Sequence, residues 1–79
     1  MSAILNTYNR KKVAFTKGKG AFLYGTNGKK YLDFVQGIAV NCLGHANNYL
    51  INSISKQAKK LWHVSNAFII PEQERLAKR

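Results

Sequence analysis

The sequence predicts a small α+β fragment, a short antiparallel β-meander followed by an amphipathic helix, and three features of the chain point to it. Asn27-Gly28 marks a hairpin turn between two apolar runs, apolar residues recur at helical spacing from Asn48 to about Trp62, and Pro71-Glu72-Gln73-Glu74 opens a further helix. The 79 residues leave room for one small domain at most. A chain of that length buries only about 60–65% of the surface its unfolded form exposes, so any core is expected to be marginal.

Residues 1–12 read as an N-terminal arm, within which Ala3 to Tyr8 has few apolar positions and suits either a short helix or a plain arm. Residues 13–36 read as the meander. Val13-Ala14-Phe15-Thr16 is a strand pattern closed by Gly18-Lys19-Gly20, whose glycines suit a turn. Asn27-Gly28 is the pair best suited to a two-residue type I′ turn, because both central residues need positive φ. Counting outward from it pairs Tyr24 with Tyr31, Leu23 with Leu32, Phe22 with Asp33 and Ala21 with Phe34. Strand alternation then puts Ala21, Leu23, Leu32 and Phe34 on one face, to be covered, and Phe22, Tyr24, Tyr31 and Asp33 on the other.

Residues 47–63 read as a one-sided helix. Leu50, Ile51, Ile54, Ala58, Leu61 and Trp62 fall within an arc of about 120°, with Lys56, Lys59 and Lys60 opposite. Asn47 or Asn48 suits the N-cap, and the apolar stripe is a natural cover for one sheet face. Residues 71–79 begin a last helix, with proline in the first turn and two carboxylates near the positive end of the dipole. It stops at Lys78-Arg79 without a glycine or asparagine cap and with too few residues for a stable isolated helix, so the chain is expected to be truncated there.

Thirteen Lys and Arg residues against three Asp and Glu give a net charge of +10. Alone, that balance suggests an acidic partner, and a small basic nucleic-acid-binding module is the reading from another class. The lysines come in scattered pairs, Lys11-Lys12, Lys29-Lys30 and Lys59-Lys60, without a dense tract of arginines and aromatics, which weakens the reading of a nucleic-acid partner. Cys42 is the one cysteine, so no intrachain disulfide can form, and a buried reduced thiol is expected. The first residues lack a long apolar core with a cleavage site, and no run approaches ~20 apolar residues, so a soluble cytoplasmic protein is expected.

Local motifs for chemistry are few. Gly18-Lys19-Gly20 has Leu23 where a third glycine would stand and precedes a strand pattern, whereas a dinucleotide loop opens a helix. His45 and His63 are too far apart for a local metal pair, and structural roles are expected for both. No serine elbow is present, and the lone cysteine has no evident base. The strip Lys56, Lys59, Lys60 has the pattern of a solvated helix face.

One long stretch goes further. Lys17 to Tyr24, Thr26 to Phe34, and Gly37-Ile38-Ala39-Val40-Asn41-Cys42-Leu43-Gly44-His45-Ala46 together resemble the N-terminal region of class III aminotransferases, with the Gly-Ile-Ala-Val-Asn and Leu-Gly-His runs pointing to the acetylornithine branch. Lys60 to Asn66 and Pro71 to Ala77 resemble the same family's next segment in the same order. The family commonly has proline about where Lys12 and Asn48 stand and an acidic residue about where Gly25 stands.

The resemblance implies part of the small domain of a fold-type I enzyme, a homodimer that uses pyridoxal 5′-phosphate on amino-acid and keto-acid substrates. It implies that the cofactor is held by residues absent from this chain, and that the fragment alone is inactive. Two positions match substrate-pocket residues of relatives. Tyr8, five residues before Val13, resembles a tyrosine that reaches the substrate's amino-acid head group in ornithine aminotransferase. Ile38 stands where that enzyme has a pocket tyrosine, and an apolar residue there suits a different substrate tail.

Overall fold

The hairpin signals of the sequence produce a three-stranded antiparallel sheet in the order β1-β2-β3, seen in a computed structural model that describes residues 2–79. The strands are β1 (Phe15–Lys19), β2 (Phe22–Gly25) and β3 (Lys30–Leu32). The chain divides into two compact units, one up to Asn47 and one from Asn48 to Arg79.

In the first unit, residues 2–14 carry neither helix nor strand, so the N-terminal arm is irregular. β1 starts later than the sequence pattern suggests and runs through Gly18; Gly20 and Ala21 make the turn into β2. The extra residue Thr16 sits in a bulge between the Phe15↔Gly25 and Lys17↔Tyr24 pairs.

The second hairpin corrects the expected register. Phe22 pairs with Leu32, Leu23 with Tyr31 and Tyr24 with Lys30, one residue away from the two-residue-turn pairing. The turn has three residues, Thr26-Asn27-Gly28. It is closed by the Gly25 N–H donating to the Lys29 carbonyl at 2.9 Å, and of the three only Gly28 has positive φ, +78°. A three-residue hairpin loop needs one left-handed residue at its end, where a type I′ turn needs two, so Asn-Gly serves here through its glycine.

A one-residue shift moves every side chain to the other face. Leu23 therefore shares a face with Tyr31 and Phe15, whose rings meet edge to face at 5.4 Å. Leu32 lies with Phe22 and Tyr24 on the opposite face, where the ammonium groups of Lys17 and Lys30 sit over the rings of Tyr24 (4.9 Å) and Phe22 (4.0 Å). The expected apolar set Ala21, Leu23, Leu32 and Phe34 is thus divided. Among the described residues no apolar side chain is buried, and Gly25 is the one residue that is.

After β3 the chain makes a one-turn element, α1 (Gln36–Ala39), absent from the sequence expectation. All four of its residues have positive φ, from +56° to +68°, so the turn winds left-handed.

The second unit holds α2 (Asn48–Ala58) and α3 (Pro71–Ala77). α2 is shorter than the expected 47–63 span. Beyond Ala58 the backbone tightens, with the Lys60 N–H donating to the Gln57 carbonyl at 3.0 Å. The Trp62 indole N–H takes the Ala58 carbonyl, which a continuing helix would offer to the Trp62 backbone. The apolar stripe of α2 stays exposed, from 41% at Leu50 to 69% at Ile54. α3 starts as the sequence indicates, with Pro71 in its first turn after an extended Ile70 and with Glu72 and Glu74 close behind. No helix among the described residues is long and apolar enough to cross a membrane.

Candidate functional site

The residues that organise the first unit gather where the sheet ends and the left-handed turn begins. Asp33 follows β3 and ends the ladder, its N–H donating to the Ala21 carbonyl at 2.8 Å. Its carboxylate then takes three donors. Oδ1 accepts the backbone N–H of Val35 (3.0 Å) and of Gln36 (2.9 Å), and Oδ2 lies 2.6 Å from Nε2 of His45. The Gln36 N–H, then the His45 ring, hold the Asp33 carboxyl below the usual carboxylate range, with the Val35 N–H adding to them against a partial loss of solvation. A carboxylate so occupied is a structural anchor.

His45 is fixed from its other side. Its backbone exchanges two hydrogen bonds with Gly20, at 2.9 and 2.8 Å, and its ring covers Gly18, where a Cβ would come within 2.6 Å of the imidazole Cγ. The preceding Gly44 is required twice over. Its φ is +81°, and a Cβ there would stand 2.9 Å from the Gly20 carbonyl oxygen. Gly18 and Gly20 thus seat His45 and turn the chain between two strands.

The left-handed turn carries Ile38. Its own bonds run from the Ile38 and Ala39 N–H groups to the Val35 carbonyl, both at 2.9 Å, and from the Val40 and Asn41 N–H groups to the Gln36 carbonyl, at 2.8 and 3.0 Å. Each non-glycine residue in this conformation costs about 1–2 kcal/mol, and a β-branched residue such as Ile38 is an outlier there. Strain of this kind persists where surrounding contacts impose it. The Ile38 side chain is turned outward, the residue 85% exposed.

Tyr8 lies on the irregular arm, 72% exposed, with the Arg10 guanidinium 5.6 Å from its ring centre. Tyr8 and Ile38 are not brought into a shared cavity. The concavity of about 280 Å³ beside the turn is lined by Asp33, Gln36, Asn41 and Cys42 with neighbouring glycines, and a wider one of about 560 Å³ by Phe15, Leu23, Tyr31 and His45 among others. Cys42 is exposed, contrary to the expected buried thiol, because it sits at a turn beside the concavity and not against a sheet face.

The Asp33–His45 pair was not foreseen from sequence. A signal existed in Asp33 itself, an aspartate just after a strand and two residues before Val35, the pattern of an Asx turn. Its partner twelve residues away left no local trace.

Known proteins place these elements in a family. The model of the class-III aminotransferases matches residues 4–79. An acetylornithine aminotransferase of Rhodobacter capsulatus is 52% identical over 98% of this chain and 20% of its own length. One of Oceanobacillus iheyensis is 53% identical over 96% of this chain and 19% of its own. Among solved structures, the N-acetylornithine aminotransferase of Stenotrophomonas maltophilia superposes with a TM-score of 0.81 at 37% identity, over 90% of this chain and 20% of that one. The ornithine delta-aminotransferase of Plasmodium falciparum does so with 0.84 at 30% identity, over 90% and 18%. This chain spans about a fifth of the length of the curated relatives it matches. With its strands, its turn and its Leu-Gly-His segment all inside the matched region, the chain belongs to the class-III aminotransferase family.

Proposed function

We propose that this chain is the N-terminal segment, within the small domain, of a pyridoxal-phosphate-dependent aminotransferase that acts on N-acetylornithine. The observation that carries this reading is the identity of about half the residues, over nearly the whole chain, with proteins named acetylornithine aminotransferase. The intact enzyme would transfer the amino group of N-acetylornithine to 2-oxoglutarate, giving the semialdehyde and glutamate, as a cytoplasmic homodimer in arginine biosynthesis. Tyr8 would reach the amino-acid head group with its hydroxyl, and Ile38 would line the pocket of the substrate tail.

Class III membership implies pyridoxal phosphate, and the residues of this segment do not fit that group. Every lysine lies on exposed surface, none in the enclosed pocket that a covalently held cofactor requires. The proposal therefore assigns the cofactor to other parts of the longer protein and gives this segment a part in substrate recognition.

The +10 charge gives no comparable support to a nucleic-acid partner, since the lysines fall in scattered pairs along the chain and not in one dense basic tract. A donor panel tests the reading. The protein carrying this segment should turn over N-acetylornithine with a kcat/KM at least about tenfold above that for ornithine, 4-aminobutyrate and N-succinyldiaminopimelate. Preference for one of the other three would assign it to a different branch.

A further inference from the structure

We infer that Asp33 and His45 are positioning residues for substrate selection, holding the left-handed turn Gln36–Ala39 in place and with it Ile38; the inference rests on the reading of Ile38 as a tail-pocket residue. The turn's backbone bonds are local, running between residues 35 and 41, and do not tie it to the sheet. Asp33 supplies that tie. One carboxylate oxygen holds the N–H groups of Val35 and Gln36 at the point where the chain enters the left-handed conformation, and the other is bound to His45. His45 is fastened in turn to the β1–β2 hairpin by its two backbone bonds to Gly20 and by the fit of its ring over Gly18.

A continuous set of contacts therefore runs from the sheet through His45 and Asp33 to a turn that three non-glycine residues would leave if released. Because Ile38 projects from the middle of that turn, its position follows the anchor. A residue that lines a substrate tail must be held to within a fraction of an ångström, and support by neighbouring hydrogen bonds is the usual means. Asp33 touches no substrate in this scheme; it acts through Ile38.

The test uses the intact aminotransferase that carries this segment, with steady-state kinetics for N-acetylornithine and for L-glutamate, whose tail lacks the acetylated amine. Asp33→Ala should lower kcat/KM for N-acetylornithine about tenfold or more, mainly through KM, while glutamate changes less than about threefold and cofactor content stays the same. Asp33→Asn, which keeps an oxygen for the Val35 and Gln36 N–H groups, should recover most of the loss. His45→Gln should lose in the same direction, and it decides the matter alone if Asp33→Ala does not fold.

Equal losses on both substrates, or loss of cofactor, would show that the pair only supports the fold and would overturn the inference. If Ile38→Ala alters the preference between the two substrates while Asp33→Ala and His45→Gln do not, the inference falls and the assignment of Ile38 stands. If none of the three alters it, both fall.

Discussion

Replacing Gly44 with alanine should damage the first unit more than replacing Gly37, although both glycines lie at positive φ. At Gly37 (φ +65°) a Cβ would have its nearest neighbours at 3.6 Å, the Asn41 amide nitrogen, and 3.9 Å, the Val40 Cβ. Alanine there costs only the left-handed backbone, about 1–2 kcal/mol. At Gly44 (φ +81°) the same backbone cost applies, and the Cβ would also stand 2.9 Å from the oxygen, 3.1 Å from the carbon and 3.2 Å from the Cα of Gly20. Those are backbone atoms that cannot rotate aside, so the two bonds between Gly20 and His45 must open, at about 0.5–1.5 kcal/mol each. The total loss for Gly44→Ala is then about 2–5 kcal/mol. Thermal unfolding of the intact protein under one set of conditions compares the two variants. A midpoint for Gly37→Ala that falls as far as that for Gly44→Ala would refute the steric reasoning.

Three further outcomes are open to measurement. Tyr8→Phe in the intact enzyme should lower kcat/KM for the amino donor by roughly ten- to a hundredfold, since a hydroxyl bonded to a charged group contributes about 1.5–3 kcal/mol, while cofactor content holds; unchanged kinetics would leave Tyr8 an arm residue. The 79-residue chain alone should retain no pyridoxal phosphate after dialysis and show no cooperative thermal transition, because apolar residues such as Phe34 (86% exposed), Trp62 (85%) and Ile69 (87%) are uncovered. Asp33 should make stability acid-sensitive. Its folded carboxyl titrates below the unfolded value of about 3.9, so its contribution is present above that pH and is lost as the pH falls through the folded value. The stability gap between the wild type and Asp33→Asn, read by denaturant titration, should therefore hold from pH 7 to about 5 and narrow below about 4; a gap that widens in acid would contradict this.

What sequence could show here was local. Asn27-Gly28 located the second hairpin, and Pro71 with Glu72 and Glu74 located α3, because each signal acts within a few residues of itself. The register failed by one residue because Asn-Gly suits both a two-residue and a three-residue turn, and only the φ of Asn27 separates them. That single choice decided which face Leu23 and Leu32 occupy. The end of α2 depended on the Trp62 indole reaching back to Ala58, a choice between side chain and backbone that helical periodicity does not record. The left-handed turn was illegible for a stronger reason: Gln36, Ile38 and Ala39 all prefer other conformations, and they hold this one beside an aspartate tied to a histidine twelve residues away. Ile38 entered as a site residue by resemblance alone; it is 85% exposed, and other apolar residues of the chain such as Phe34 and Trp62 are exposed to the same degree.

The most direct test of the proposed chemistry is a pair of half-reactions on the full-length protein. Loaded with pyridoxal phosphate and treated with N-acetylornithine alone, it should release one equivalent of the semialdehyde per active site and shift its cofactor absorbance; 2-oxoglutarate added after removal of the donor should restore the spectrum and release one equivalent of glutamate. A cofactor-loaded protein whose spectrum N-acetylornithine leaves unchanged, and which then forms no glutamate, would contradict the assignment.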